Sequence, residues 1–221
     1  RLIGNFLIAN SIFFTEFGLG GSSGIQSKNE IDDITVSGNM TWFKSPETTV
    51  KFGVQHKTLG FQYLNSFQDS IQFEIKTRPA EFAQYMKFKY APNSVWIIEP
   101  GLRLSHYNVF PDSLFPDLRL GVKYLLTDDR YINMSMGNYH QFICTFQDDY
   151  NPTILDQWIA VDPSVAPGKS TQFVLGYEEY IRNTYKVQIE GYYKDIKNLL
   201  TFEEKRSTTD AEISDEKLAD I

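Results

Sequence analysis

Hydrophobic and polar residues alternate along this chain with a period of two. Leu118, Leu120, Val122 and Tyr124 are separated by Arg119, Gly121 and Lys123. Ile132, Met134 and Met136 alternate with Asn133, Ser135 and Gly137. Tyr185, Val187, Ile189, Gly191 and Tyr193 form one set, and Lys186, Gln188, Glu190, Tyr192 and Lys194 the other. Upstream, Trp96, Ile98, Leu102 and Leu104 oppose Glu99, Gly101, Arg103 and Ser105. Successive side chains on a strand point to opposite faces, so each segment has one apolar and one polar face. Helical spacing is hard to find, and a buried parallel sheet would read as continuous apolar runs. The pattern predicts an all-β, antiparallel protein.

The connections have their own rhythm. Short turns fall at 44–47, 91–94, 127–129 and 180–183, and long loops are expected at 15–31, 108–115 and 141–170. A structureless connection as long as the last one does not suit a compact soluble domain. Short turns on one side and long loops on the other are the habit of a membrane barrel. Strands are expected at 1–14, 32–44, 48–63, 94–107, 116–126, 130–140, 171–180 and 184–196. With every short turn on one side, only one further strand fits between 64 and 93. Residues 70–91 therefore read as one long strand, irregular at Arg78-Pro79, where a missing N–H is cheap outside the bilayer. The total is nine strands over 1–202, whereas single-chain bacterial barrels have an even number. The chain begins at Arg1, and 203–221 reads as a polar tail or the start of an extracellular loop. The expectation is a partial antiparallel transmembrane β-barrel, a fragment of a larger one.

Composition narrows the function. Among 221 residues, 21 Lys and Arg face 28 Asp and Glu, a net charge of -7, which argues against binding a nucleic-acid backbone. A single cysteine, Cys144, excludes an internal disulfide and any CxxC metal site. The aromatic content of 15% is high for so polar a chain, and the alternation gives those rings a place. Trp42, Trp96, Tyr124, Tyr185 and Tyr193 are candidate membrane-interface anchors, since such side chains have one apolar and one water-tolerant end. The same alternation would also pack the core of a soluble β-sandwich. Arg103, Arg119, Lys123, Lys186, Gln188 and Glu190 would face an interior, chiefly solvating it and pairing across strands. His56, His106 and His140 are far apart and lack any HExxH-type spacing, so no metal site is expected. Neither a GxSxG elbow nor a P-loop lysine after Gly18–Gly24 is present, and no catalytic residue or cofactor is expected.

Six ordered pieces between Glu81 and Phe202 then resemble the C-terminal half of the barrel of TonB-dependent outer-membrane receptors. They begin with Glu81-Phe82-Ala83-Gln84-Tyr85 and with Pro100-Gly101-Leu102-Arg103-Leu104-Ser105, similar to a "PGLR" strand core. Phe115-Pro116-Asp117-Leu118-Arg119-Leu120 with Leu126-Thr127-Asp128 resembles "PRLS…Y.LSDN", and Ser135 to Phe142 resembles "SYGRYYQ". Gln172 to Glu178 is similar to "YVLGYE", and Tyr192 to Leu199 to "YYKDI.NL". Asp117 and Asn138 depart from the arginines common at those positions, so no role is carried onto them.

The resemblance implies a barrel of about 22 strands filled by an N-terminal plug. It also implies a Gram-negative outer membrane, and uptake of a scarce ligand such as a ferric siderophore, cobalamin or carbohydrate. Outer-membrane lipid, a plug domain, a TonB-type energy-coupling protein and a small-molecule or chelate substrate are the partners it implies. Within that frame, His140 and Gln141 near the extracellular rim, and Asp148 and Trp158 in the long segment after it, are candidate ligand contacts. Asp148 and Asp149 could ligate bare iron, but a chelated ligand would make that unnecessary. The alternative is a structural or adhesive β-protein, either a smaller outer-membrane barrel or a soluble β-sandwich, with no transport role.

Overall fold

The computed structural model of the chain describes residues 1–21, 24–68, 70–146, 157–182 and 184–199. Its strands are β1 (Leu2–Leu19), β2 (Ile25–Phe43), β3 (Thr48–Phe67), β4 (Ser70–Thr77), β5 (Ala80–Tyr90) and β6 (Trp96–Tyr107). They continue as β7 (Leu114–Thr127), β8 (Arg130–Gln141), β9 (Ile143–Phe146), β10 (Gln157–Ala160), β11 (Gly168–Ile181) and β12 (Tyr185–Lys197). One antiparallel sheet runs β1-β2-β3-β5-β6-β7-β8-β11-β12, with β4 also on β3, while β9 and β10 form a separate hairpin.

The proline irregularity lies where strand parity requires a single pass. β4 and β5 lie end to end along β3, with Phe61 opposite Thr77 and Thr58 opposite Ala80. Between them the Pro79 carbonyl accepts the Leu59 N–H at 2.9 Å, so the ladder loses only the donor that proline lacks. Elsewhere the strands outrun their sequence signal. The expected loop at 15–31 is mostly ladder, because backbone pairing does not depend on the polar side chains that made it read as a loop. The β1–β2 ladder ends at Leu19 opposite Ile25, and just beyond it Gly20 and Gly21 take φ of 89° and 63°, a region side chains rarely adopt.

The expectation of a transmembrane barrel is corrected here: the sheet is open. β1 pairs only with β2 and β12 only with β11, so the two edges do not meet among the described residues. Nine antiparallel positions leave the first and last strands running the same way. Closing them on each other would need a parallel seam in an otherwise antiparallel sheet. The sheet therefore does not support transmembrane barrel strands as a description of this chain.

Its two faces are chemically opposite, and burial follows them in reverse of a soluble protein. Met40, Phe52, Met86, Leu102 and Leu118 are direct neighbours across five strands on one face. Of these, Leu118 is 61% exposed and Met86 46%, and Phe6 and Ile8 on the same face reach 69% and 67%. On the other face, Ser105 is 2% exposed, Asp117 4% and Ser37 7%. Large apolar side chains lie bare while small polar ones are covered.

Gly53 shows how tightly the polar face is fitted. Tyr85 crosses it to donate its hydroxyl to Asn39 Oδ1 at 2.7 Å. A Cβ on Gly53 would come within 2.7 Å of the Tyr85 ring, of Asn39 Oδ1 and of the Gly38 carbonyl oxygen. The first two can swing away, but the backbone oxygen cannot. Gly53→Val should break the Tyr85–Asn39 bond and cost about 1–3 kcal/mol, read as a lower unfolding midpoint.

Candidate functional site

The polar face carries most of the chain's specific side-chain chemistry, and strand register assembles it. Glu81, Ser105, Arg103 and Gln55 come from β5, β6 and β3, on adjacent ranks of one face. Glu81 Oε1 accepts from Arg103 at 3.0 Å and from the Ser105 hydroxyl at 2.9 Å. Arg103 also donates to Gln55 Oε1 at 2.9 Å and, through Nε, to Ser105 at 3.2 Å. The ion pair is mostly covered, so its worth lies in complete hydrogen bonding rather than in bare Coulomb attraction. Glu81→Ala leaves Arg103 and Ser105 without their shared acceptor and should cost about 1–3 kcal/mol in a denaturation experiment.

A second constellation sits at the loop end of β7 and β8. The Asn138 side chain accepts the Leu118 N–H at 2.9 Å and donates to the Pro116 carbonyl at 2.7 Å. It thereby replaces the backbone ladder, whose last β7–β8 partner on this side is Gly137. Freed from β7, His140 places Nδ1 at 2.7 Å from Asp117 Oδ1, and both side chains are nearly buried. His140 also lies against Phe115, with ring centroids 5.4 Å apart.

Beyond that pair, at the same end of the sheet, is an apolar cluster. Tyr107 is fully buried and stacks on Phe142 at 4.6 Å, while Phe115 meets Phe142 edge-on at 5.0 Å. Val161 completes the cluster, with Cys144 packed beside it. Burial pushes the Cys144 thiol up from its ordinary pKa, as does nearby Asp162, so it is a packing residue rather than a reactive one. Asp162 itself is held below the usual carboxylate range by the Ser164 hydroxyl and backbone N–H, which fix the turn after β10. The β9–β10 hairpin thus ends in a tied turn, and β10 reaches across to pack on β2 and β3.

The residues singled out in the sequence fall into three groups. His140 is held against Asp117 at the loop end of β7 and β8, Gln141 stays exposed at the end of β8, and Trp158 is half-buried on β10. Asp148 and its neighbour Asp149 lie outside the described residues. The five aromatic candidates share the apolar face. Trp96 and Tyr124 are direct partners with centroids 4.5 Å apart, and Trp42 and Tyr185 also lie beside short turns. Tyr193 is farther along its strand, opposite Phe173. Sequence reasoning missed the Glu81–Arg103 network and the Asp117–His140 pair. Like parity on neighbouring strands would have flagged the first; only the side-chain bypass at Asn138 produces the second. No group of three or more metal-ligating side chains occurs among the described residues.

Comparison with solved structures gives the same sheet in much larger molecules. The ferric yersiniabactin uptake receptor FyuA from Yersinia pestis superposes with a TM-score of 0.62 at 12% identity, over 89% of this chain and 33% of that one. FpvA of P. aeruginosa, solved bound to heterologous pyoverdines, gives 0.63 at 10% identity, over 87% and 30%. The copper transporter OprC gives 0.60 at 13% identity, over 88% and 35%. The chain spans about a third of the length of these structures, and at such identities the likeness concerns the fold. No curated protein matches. The family described as "TonB dependent receptor-like, beta-barrel" matches residues 5–213, nearly the whole chain. That description is one of receptors. The chain belongs to the TonB-dependent receptor family.

Proposed function

We propose that this chain is part of a TonB-dependent outer-membrane receptor that takes up a scarce ligand such as a ferric siderophore, cobalamin or a carbohydrate. The observation that carries the reading is the inverted burial of the sheet. A continuous apolar rank lies exposed on one face while Ser37, Ser105 and the Glu81–Arg103 pair are covered on the other. Soluble monomers rarely expose a contiguous apolar patch of more than a few hundred Å². The apolar face is turned to outer-membrane lipid, with Trp42, Trp96, Tyr124 and Tyr185 at the headgroup level on the short-turn side. Tyr193 belongs to the same band, nearer its middle.

The polar face serves the transported ligand and the parts of the receptor that control it. An N-terminal plug domain and a TonB-type energy-coupling protein are the partners this function calls for. His140, Gln141 and Trp158 are the rim positions assigned to ligand contact, with Asp148 in the segment between β9 and β10.

The test is uptake by whole cells carrying the full-length protein or its deletion. The probes are a ferric hydroxamate, a ferric catecholate, cyanocobalamin and a maltodextrin. One probe should accumulate only with the protein present and only in energised cells, a protonophore abolishing it. Equal accumulation of all four with and without the protein would overturn the reading and favour a structural role.

A further inference from the structure

One rank of the polar face breaks the usual rule of cross-strand pairing. Lys51 on β3 and Lys87 on β5 are direct partners, and like charges placed opposite each other destabilise a sheet. The same rank continues through Gly101 to Arg119 and ends at Lys194, with no carboxylate in it. Neighbouring ranks neutralise it only in part. Lys87 is bound to Glu99 at 2.5 Å, whereas Lys51 makes no ion pair among the described residues. Arg119 lies over the Tyr139 ring at 4.6 Å and 3.9 Å from Asp117, a carboxylate already held by His140.

The place where these side chains meet is a depression of 420 Å³. Its floor is Gly101 and Gly121, where a Cβ would meet nothing closer than 3.6 Å. Four cations, Lys51, Lys87, Arg103 and Arg119, line it against the single carboxylate of Glu99, a net +3 in a chain of net -7. Arg103 is spent on Glu81, so the donors left over are Lys51, Arg119 and the outer protons of Lys87. A like-charge pair over a glycine floor, with only Lys87 of the two neutralised, is a local violation of good pairing, and such violations gather at functional sites. Tyr85 and Tyr139 flank the space, the Tyr85 hydroxyl already given to Asn39 and the Tyr139 ring lying under Arg119.

We propose that this depression binds a small, multiply charged oxyanion, of polycarboxylate or polyphosphate type, between Lys51 and Arg119. Arginine offers a planar fork for two oxygens and lysine a compact point charge, so the pair suits a ligand with at least two anionic groups. The inference goes beyond the uptake reading and does not depend on it, since it concerns binding to one face of the chain.

The experiment is calorimetric titration of the purified full-length protein with inorganic pyrophosphate and with tricarballylate, at low and high salt. At least one should bind, more weakly as salt rises. Lys51→Ala and Arg119→Ala should each weaken it by roughly tenfold or more, the usual effect of losing a charge-assisted hydrogen bond. Lys51→Arg should keep most of the affinity. Gly101→Val, which fills the floor between Lys87 and Arg119 without adding or removing a charge, should abolish it, while Lys186→Ala, on the same face but tied to Glu178, should leave it unchanged. No binding of either anion by the unaltered protein would overturn the proposal and leave the rank to neutralise an acidic stretch of polypeptide. Unchanged affinity in both alanine variants would overturn it equally. Silence here with uptake intact defeats this inference alone, and binding here without uptake of any probe defeats the transport reading alone.

Discussion

On the proposal that the apolar face meets lipid, arginine in place of Met86 or Leu102 should destabilise the folded protein by about 2–4 kcal/mol, the cost of setting that charge among lipid chains. Both side chains are more than a third exposed, and neither makes a polar contact that an arginine would disturb. In a water-facing sheet such surface substitutions usually stay within about 0.5 kcal/mol. The large expected effect therefore comes from the surroundings of the apolar face, not from packing within the chain. Ser135→Arg supplies the control, because Ser135 is exposed on the polar face beside Gly121. It should cost little. Unfolding of the purified protein in bilayers, followed against denaturant, would give all three values. Equal small changes would mean that the apolar rank meets water.

Phe142→Ala is the second substitution with a large expected effect. Phe142 is 6% exposed and touches both Tyr107 and Phe115 through ring contacts. Emptying such a position costs about 3–5 kcal/mol, from lost transfer energy and from the cavity left behind. The cost should fall on a part of the molecule rather than the whole. Phe142 bonds through its carbonyl to the Val161 N–H at 3.0 Å, so the cluster is what pins the β9–β10 hairpin to the end of β6. Hydrogen exchange at residues 157–162 should accelerate strongly, while β2 and β3 keep their protection near the short turns. A uniform loss of protection throughout the sheet would show that the cluster holds the sheet and not the hairpin.

Much of the sheet was legible because period two is a backbone property that the side chains report faithfully. Leu118 to Tyr124 and Tyr185 to Tyr193 divide between faces as their alternation says. Strand parity even placed the Pro79 interruption inside one pass. Less was legible where composition and pairing part company. Thr15 to Leu19 is interrupted by Gly18 and Ile25 to Ile31 is mostly polar, yet both are paired residue for residue. The openness of the sheet was also hidden, since alternation describes each strand and says nothing about which edges meet.

The rim site was legible only in pieces. His140 stood out as a residue type, but simple parity sets it on the face opposite Asp117. The pair exists because Asn138 takes over two backbone bonds of β7 and lets β8 leave its neighbour. Such a bypass depends on one side-chain geometry and leaves no periodic trace. The lysine pair is the reverse case. Lys51 and Lys87 are ordinary polar alternates in the sequence, and become notable once register sets them opposite each other.

The most direct test of the lipid-facing reading is a cysteine scan of β7 in the full-length protein, after Cys144→Ser removes the only native thiol of this chain. Spin labels at positions 118 to 123 would be challenged in membranes with oxygen, which concentrates in lipid, and with a water-soluble nickel chelate. Labels at 118, 120 and 122 should respond to oxygen, and labels at 119, 121 and 123 to nickel, alternating residue by residue. Nickel access at the even positions, or no alternation at all, would contradict a sheet whose apolar face meets lipid.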